Sequence, residues 1–235
     1  MKAVLKHILS ARQQTHKMLA VLLDPERPIA FGPGELDQAD IVLVGGSTGA
    51  IAPDFIGKIR SITSRPIVLF PGNGNQFTAD ADAILFLSVL SAQSADVLIG
   101  RQLAAAPAIM AAKIESIPMG YILIDGGKPT SVAQASHSTP IPQNQVKYIT
   151  DLAITGQLLG KQIIYLEAGS GALTPVSTDI IASVRKAISI PLIVGGGICT
   201  PEAMHDAFQA GADIVVIGNH FESHPEQLQL FCQCI

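Results

Sequence analysis

The sequence predicts an α/β chain closed into an eight-fold (β/α) barrel, and three observations carry that expectation. Eight apolar runs recur along its 235 residues: Leu19–Leu23, Ile41–Val44, Ile67–Phe70, Ala83–Leu87, Gly120–Ile124, Ile163–Glu167, Pro191–Val194 and Ile214–Ile217. They are continuous rather than alternating, as parallel strands covered on both faces must be. Helix-forming segments separate most of them, and eight such units in this length favour closure over an open sheet. A doubly wound sheet is the alternative the same rhythm leaves open. The third observation is a pair of glycine turns. Gly195-Gly196-Gly197 and Gly218-Asn219 each follow a β-branched run near the C-terminus. In a barrel these are the loops after strands seven and eight, where bare backbone N–H groups cradle a phosphate.

The remaining elements follow in order. The start, MKAVLKHILSARQQTHK, reads as an amphipathic helix, because Lys6, His7 and Arg12 interrupt any signal-peptide apolar region. Helices are expected at Pro53–Ser64, Arg101–Ser116, Gln143–Leu159, Val176–Ala187, Pro201–Ala210 and Pro225–Cys234. Pro53, Pro201 and Pro225 stand near helix starts, and Thr200 is the expected N-cap before Pro201. One unit is irregular. PGNGNQFTADAD, between Phe70 and Ala83, is too short and too rich in Gly and Asn for a covering helix, so the third helix is expected to be missing or replaced. A long loop from Gly126 to Pro142 follows the fifth strand, on the face where barrels keep their chemistry. No linker divides the chain, so residues 1–235 are read as one domain.

Composition narrows the function. Hydrophobic residues make up 48% and charged residues 14%, against roughly 25% charged in an average globular protein. Such a chain leaves apolar surface for a partner copy or a greasy ligand, and a homo-oligomer is expected. The net charge of −4 carries no basic run, which excludes a nucleic-acid surface. No apolar stretch reaches the roughly 18 residues of a membrane span. Cys199, Cys232 and Cys234 form no disulfide or metal framework, so the expected setting is the reducing cytoplasm.

Polar residues at the carboxyl ends of barrel strands carry the chemistry. Asp24 ends the first strand, and Gly45-Gly46-Ser47 ends the second. A carboxylate and a hydroxyl there can share Mg²⁺, which completes its shell with water and phosphate oxygens; a turn cap at Asp24 with Ser47 in a loop is the alternative. The sixth strand ends in Tyr165-Leu166-Glu167-Ala168-Gly169-Ser170. Alternation puts Tyr165 and Glu167 on one face and Leu166 on the other. Glu167 is either a buried ion-pair partner or a site carboxylate, and Gly-Ser-Gly behind it offers donors for a phosphate. No nucleophile elbow, no His-Glu-x-x-His and no dinucleotide fingerprint is present. The histidines are scattered, and His220 reads as an exposed loop residue. The site therefore looks electrostatic: a metal, phosphate donors and one carboxylate.

At these residues the chain resembles a known family. Leu-Leu-Asp-Pro-Glu, Val-Gly-Gly-Ser-Thr-Gly, Gly-Gly-Lys-Pro-Thr-Ser-Val, Tyr-Leu-Glu-Ala-Gly-Ser-Gly, Val-Gly-Gly-Gly-Ile and Ile-Gly-Asn occur in order over nearly the whole chain. Together they are similar to the second group of the geranylgeranylglyceryl phosphate synthase family, related to bacterial heptaprenylglyceryl phosphate synthases. The resemblance implies a modified TIM barrel and Mg²⁺-dependent transfer of a prenyl group from a prenyl diphosphate to the 3-hydroxyl of sn-glycerol 1-phosphate. It implies metal positions at Asp24 and Ser47. Tyr165, Leu166, Glu167, Ala168, Gly169, Ser170, Gly196, Gly197, Gly218 and Asn219 would hold glycerol phosphate, with Glu167 and Tyr165 as the catalytic pair. Product release would bring peripheral contact with a membrane. The chain departs from the family at Asp24-Pro25-Glu26-Arg27, where many members have Asp-Pro-Asp-Lys, and at Leu22, where some have lysine. Arg27 and Lys128 are the candidate cations for the phosphates. The prenyl tail would lie beside Phe86, Leu87 and Leu90, in the room left by the missing helix. A phosphate-binding isomerase or lyase, and a protein that binds prenyl diphosphate without turnover, are the competing readings.

Overall fold

The computed structural model describes residues 3–46, 49–72, 76–92, 94–130, 133–134 and 138–235. Eight parallel strands close into a barrel in chain order. They are β1 (Met18–Leu23), β2 (Ile41–Val44), β3 (Ile67–Leu69), β4 (Ala83–Val89), β5 (Glu115–Leu123), β6 (Ile163–Glu167), β7 (Leu192–Gly195) and β8 (Ile214–Ile217). β8 pairs with β1, from Met18 opposite Ile214 to Val21 opposite Ile217, and this pairing closes the cylinder. Alternation along the strands sorts the apolar side chains into two cores. Met18, Ala20, Leu43, Val68, Leu85, Met119, Tyr165 and Val216 fill the interior. Leu19, Val21, Val42, Leu166, Val194 and Val215 face the outer helices.

Helix α1 (Ala3–Gln13) plugs the amino end of the cylinder with Val4, Leu5, Ile8 and Ala11. The backbone N–H groups of Val4 and Leu5 donate to the buried Glu115 carboxylate at 2.9 and 3.1 Å, which satisfies donors that a helix start leaves open. The outer wall is built by α2 (Phe55–Arg60), α3 (Arg101–Ala112), α4 (Val146–Leu158), α5 (Thr178–Ala187) and α6 (Pro201–Ala210). Thr200 caps α6 as expected, accepting from Ala203 N–H at 3.2 Å. Between β3 and β4 no described residue is helical, so the wall is open there.

Most element bounds shift by one to four residues from the sequence expectation, and three differences have a clear physical cause. The helix expected over Arg101–Ser116 ends at Ala112, where Lys113 turns into the left-handed region at φ 58°. β5 then starts five residues early, because Glu115 is drawn down to α1 and pairs with Ala83. Pro118 inside that strand hid its start, since proline removes a ladder donor. The expected helix Pro225–Cys234 is a 3₁₀ turn over Pro225–Gln227 and a short helix, Leu228–Cys232. A helix the sequence did not announce, α7 (Asn219–Ser223), begins directly at the last glycine turn; the final short helix is α8.

Candidate active site at the barrel mouth

A cavity of 230 Å³ opens at the carboxyl ends of the strands. One side is polar, formed by Asp24, Glu167, Ser170, Gly196, Gly197, Gly218 and Asn219. The other side is apolar and leaves the cylinder between β4 and α3, past Ile84, Phe86, Ala105 and Ile109. Ile84 and Phe86 belong to the outer layer, so this arm occupies the space a covering helix would fill. Phe86 and Leu87 line it; Leu90 does not, because it packs toward Gly120, Gly156 and Ile164.

Glu167 ends β6 and is 7% exposed. Its Oε1 accepts the N–H of Gly169 at 2.6 Å. Burial pushes its pKa up, partly opposed by Tyr165 and by the Gly169 N–H. Burial and the neighbouring Glu167 charge push the Tyr165 pKa well above its usual value. Among the described residues the Tyr165 hydroxyl has no hydrogen-bond partner, although it stands close enough to Glu167 for the two to influence each other. Tyr121 stacks on Tyr165 at 5.5 Å with an interplanar angle of 9°, and among the described residues its buried hydroxyl also lacks a partner. Phe70 completes this aromatic floor, 5.2 Å from Tyr165. Sequence reading missed Tyr121 and Phe70. Tyr121 lies mid-strand in an apolar run, and only the β5–β6 register, Tyr121 opposite Tyr165, brings it under the mouth.

The glycine turns present their backbone to this floor. Among the described residues, no turn, loop or cap bond takes up the N–H of Gly196, Gly197 or Asn219. Three of the residues expected to hold glycerol phosphate, Leu166, Ala168 and Gly169, sit otherwise. The side chains of Leu166 and Ala168 face the outer core. Ala168 N–H donates to Gly195 at 3.0 Å and Gly169 N–H to Glu167, so neither donor is free. Gly196 has φ +84°, and a Cβ there would overlap Glu167 Oε1 and stand 2.6 Å from Gly169 N. Gly196→Ala is therefore expected to cost about 2–4 kcal/mol of stability through backbone strain and overlap. Chemical denaturation checks this, and an unchanged midpoint contradicts it.

Asp24 stands at the end of β1. Its Oδ1 accepts Glu26 N–H at 2.9 Å, and its backbone N–H donates to Glu222 at 3.0 Å. No protein donor reaches Oδ2 among the described residues, which leaves that oxygen for a ligand. A Cβ at Gly46, two residues past β2, would stand 2.9 Å from Oδ1, so the glycine lets the loop pass close to the carboxylate. Ser47 lies outside the described residues. Of the two candidate cations, Arg27 pairs with Glu222 at 2.8 Å. Lys128, on the long loop, reaches the segment after β6: a Cβ on Gly171 would stand 2.9 Å from its Nζ and 3.7 Å from Asn219 Nδ2. His220 is a half-buried residue of α7 that lines the cavity and bonds Gln227 at 2.8 Å, not an exposed loop residue.

Fold and site define a class: a TIM barrel whose mouth joins a row of open backbone amides to an apolar arm through its wall. Within that class the chain belongs to the PcrB family, whose model matches residues 13–233. It is 43% identical to a geranylgeranylglyceryl phosphate synthase of Zunongwangia profunda over 230 residues, 95% of this chain and 98% of that protein. The synthase of Thermococcus gammatolerans is 41% identical over 88% of this chain and 84% of its own. Among solved structures, (S)-3-O-geranylgeranylglyceryl phosphate synthase of Thermoplasma acidophilum, in complex with its substrate sn-glycerol-1-phosphate, superposes with a TM-score of 0.89. It is 33% identical and covers 100% of this chain and 99% of its own.

Proposed function

We propose that this enzyme is a prenyltransferase that joins a prenyl diphosphate, geranylgeranyl diphosphate above all, to the 3-hydroxyl of sn-glycerol 1-phosphate. One observation carries the reading: a single cavity runs from the anion cradle through the gap in the wall into an apolar arm. A small polar acceptor and a long hydrocarbon donor need those two environments, meeting at one point. The names of the relatives support the same reaction.

The glycerol phosphate would rest its phosphate on the amides of Gly196, Gly197 and Asn219, with Ser170 and Lys128 beside them. Its free hydroxyls would then face Glu167 and Tyr165. The prenyl tail would follow Phe86, Ala105 and Ile109, at roughly 0.8 kcal/mol per buried CH₂. In the reaction the C1–oxygen bond of the donor breaks and diphosphate leaves with the electron pair. The glycerol oxygen forms the new bond to C1, and its proton passes to the Glu167 carboxylate. Phe70, Tyr121 and Tyr165 line the mouth, and their π systems would favour cationic character on C1. Alignment of the two substrates should supply much of the rate.

The donor set fits Mg²⁺: one carboxylate with a free oxygen, in a mouth that admits phosphate oxygens. Asp24 would hold the ion, with Ser47 as its expected partner. When bound, it would neutralise charge on the departing diphosphate. Homo-oligomerisation, peripheral membrane contact and a cytoplasmic setting belong to the same reading. The exposed side chains of Ile99, Leu103 and Met110 support an associating surface. No described helix is long and apolar enough to cross a membrane.

The test is direct. The protein is incubated with Mg²⁺, sn-glycerol 1-phosphate and prenyl diphosphates of graded length, and ether product and released diphosphate are measured. Ether from a long donor, absent with sn-glycerol 3-phosphate, is expected. Binding without release of diphosphate at any length would leave a carrier rather than a transferase.

A further inference from the structure

We propose that Glu222 is a positioning residue that ties the two anion-binding edges of the mouth into one unit. The proposal rests on the reading of that mouth as a two-substrate site. Glu222 lies outside every motif read from the sequence. Its charged side chain is nonetheless 9% exposed, and both of its oxygens are committed to the loop after β1. Oε1 accepts the backbone N–H of Asp24 at 3.0 Å, and Oε2 accepts from the Arg27 guanidinium at 2.8 Å. Glu222 itself sits in α7, where its own N–H donates to Gly218 O at 3.2 Å. The carboxylate therefore moves with the Gly218-Asn219 turn, while what it grips is the Asp24–Arg27 segment.

The place of this bridge explains its use. The β1–β8 ladder ends at Val21 opposite Ile217. Above that level the two loops leave the sheet, and Glu222 spans them. A carboxylate accepting from both a backbone N–H and a guanidinium makes two charge-assisted bonds, the strong kind. Arg27 is half-exposed, so Glu222 orients it without withdrawing it from solvent. The arrangement presents a cation beside Asp24 at a set distance from the glycerol phosphate cradle. It also keeps the Glu222 carboxylate, next to Asp24, from facing an incoming diphosphate without a cation.

Calorimetric titration with inorganic pyrophosphate plus Mg²⁺, and separately with sn-glycerol 1-phosphate, tests this without turnover. Glu222→Gln keeps an acceptor for the Asp24 N–H but loses the charge that holds Arg27. It is expected to weaken pyrophosphate binding about tenfold, the scale of one lost charged hydrogen bond, with glycerol phosphate affinity within about twofold. Arg27→Met should show the same loss, and the double variant should be no worse than Arg27→Met alone. Glu222→Asp, one methylene shorter, should fall between wild type and Glu222→Gln. Additive losses in the double variant, or equal weakening of both ligands together with a lowered melting temperature, would overturn the proposal. So would a wild-type protein without pyrophosphate affinity. A wild type that binds both ligands but makes no ether sinks the proposed reaction and leaves the Glu222 result standing.

Discussion

Asp24→Ala is expected to lower kcat/KM by about 10³-fold or more, which corresponds to ~4 kcal/mol of transition-state stabilisation. Asp24 is the mouth carboxylate at the end of β1, and among the described residues no donor reaches its second oxygen. The substitution removes one side-chain acceptor, from Glu26 N–H, at an exposed turn. The backbone bond from Asp24 N–H to Glu222 survives it. The melting temperature should therefore stay close to wild type while turnover collapses with both substrates saturating. Asp24→Asn separates charge from shape and should behave nearly as badly. Activity that is insensitive both to this change and to chelation of divalent ions would rule out a metal at Asp24.

Glu167→Gln carries the second large effect, and pH gives it a second dimension. General-base catalysis contributes about 10²–10⁴-fold, so kcat should drop on that scale. Burial raises the Glu167 pKa above its ordinary value of 4.5. The base form is then lost as pH falls through that raised value, so the acidic limb of kcat should lie above the usual carboxylate range and vanish in the variant. The same shift sets the sign for stability. The folded protein holds this proton more tightly than the unfolded chain, so stability from Glu167 is present below its ordinary value and declines as pH rises through the folded one. At alkaline pH the amide removes the cost of a buried charge while still accepting from Gly169 N–H. Glu167→Gln should thus be as stable as wild type there, or more stable, while being nearly inactive. Parallel loss of folding and activity would mark Glu167 as a structural carboxylate instead.

The barrel was legible because its strands are local. Ile41–Val44, Ile163–Glu167 and Ile214–Ile217 match the observed strands residue for residue. Each is a short apolar run bounded by polar or glycine residues, and a parallel strand buried on both faces leaves that trace. The gap after β3 was equally plain, since a Gly- and Asn-rich segment forms no covering helix. The start of β5 was not, because what recruits Glu115 is α1, more than a hundred residues away. α7 escaped for a related reason: five residues are too few for a helical period to show.

Site residues divide in the same way. Asp24, Glu167 and the glycine turns, which line the cavity, could be placed there because barrel strand ends gather at one mouth, a rule that needs sequence position alone. Tyr121 needed the register between strands, and Glu222 needed the closure of β8 onto β1. Leu166, Ala168 and Gly169 were swept in with their motif, although alternation and local hydrogen bonds turn their side chains or donors away from the mouth.

By itself, then, the amino-acid order determines the number of strands, their parallel burial and which strand ends bear a carboxylate or a bare turn. Those properties depend on the side chain and its nearest neighbours. Which hydroxyls stand beneath the carboxylate, which guanidinium is already engaged and where the apolar arm leaves the cylinder were decided by tertiary structure. Each of these joins residues far apart in the chain, and their distances exist once the eight strands have closed on themselves.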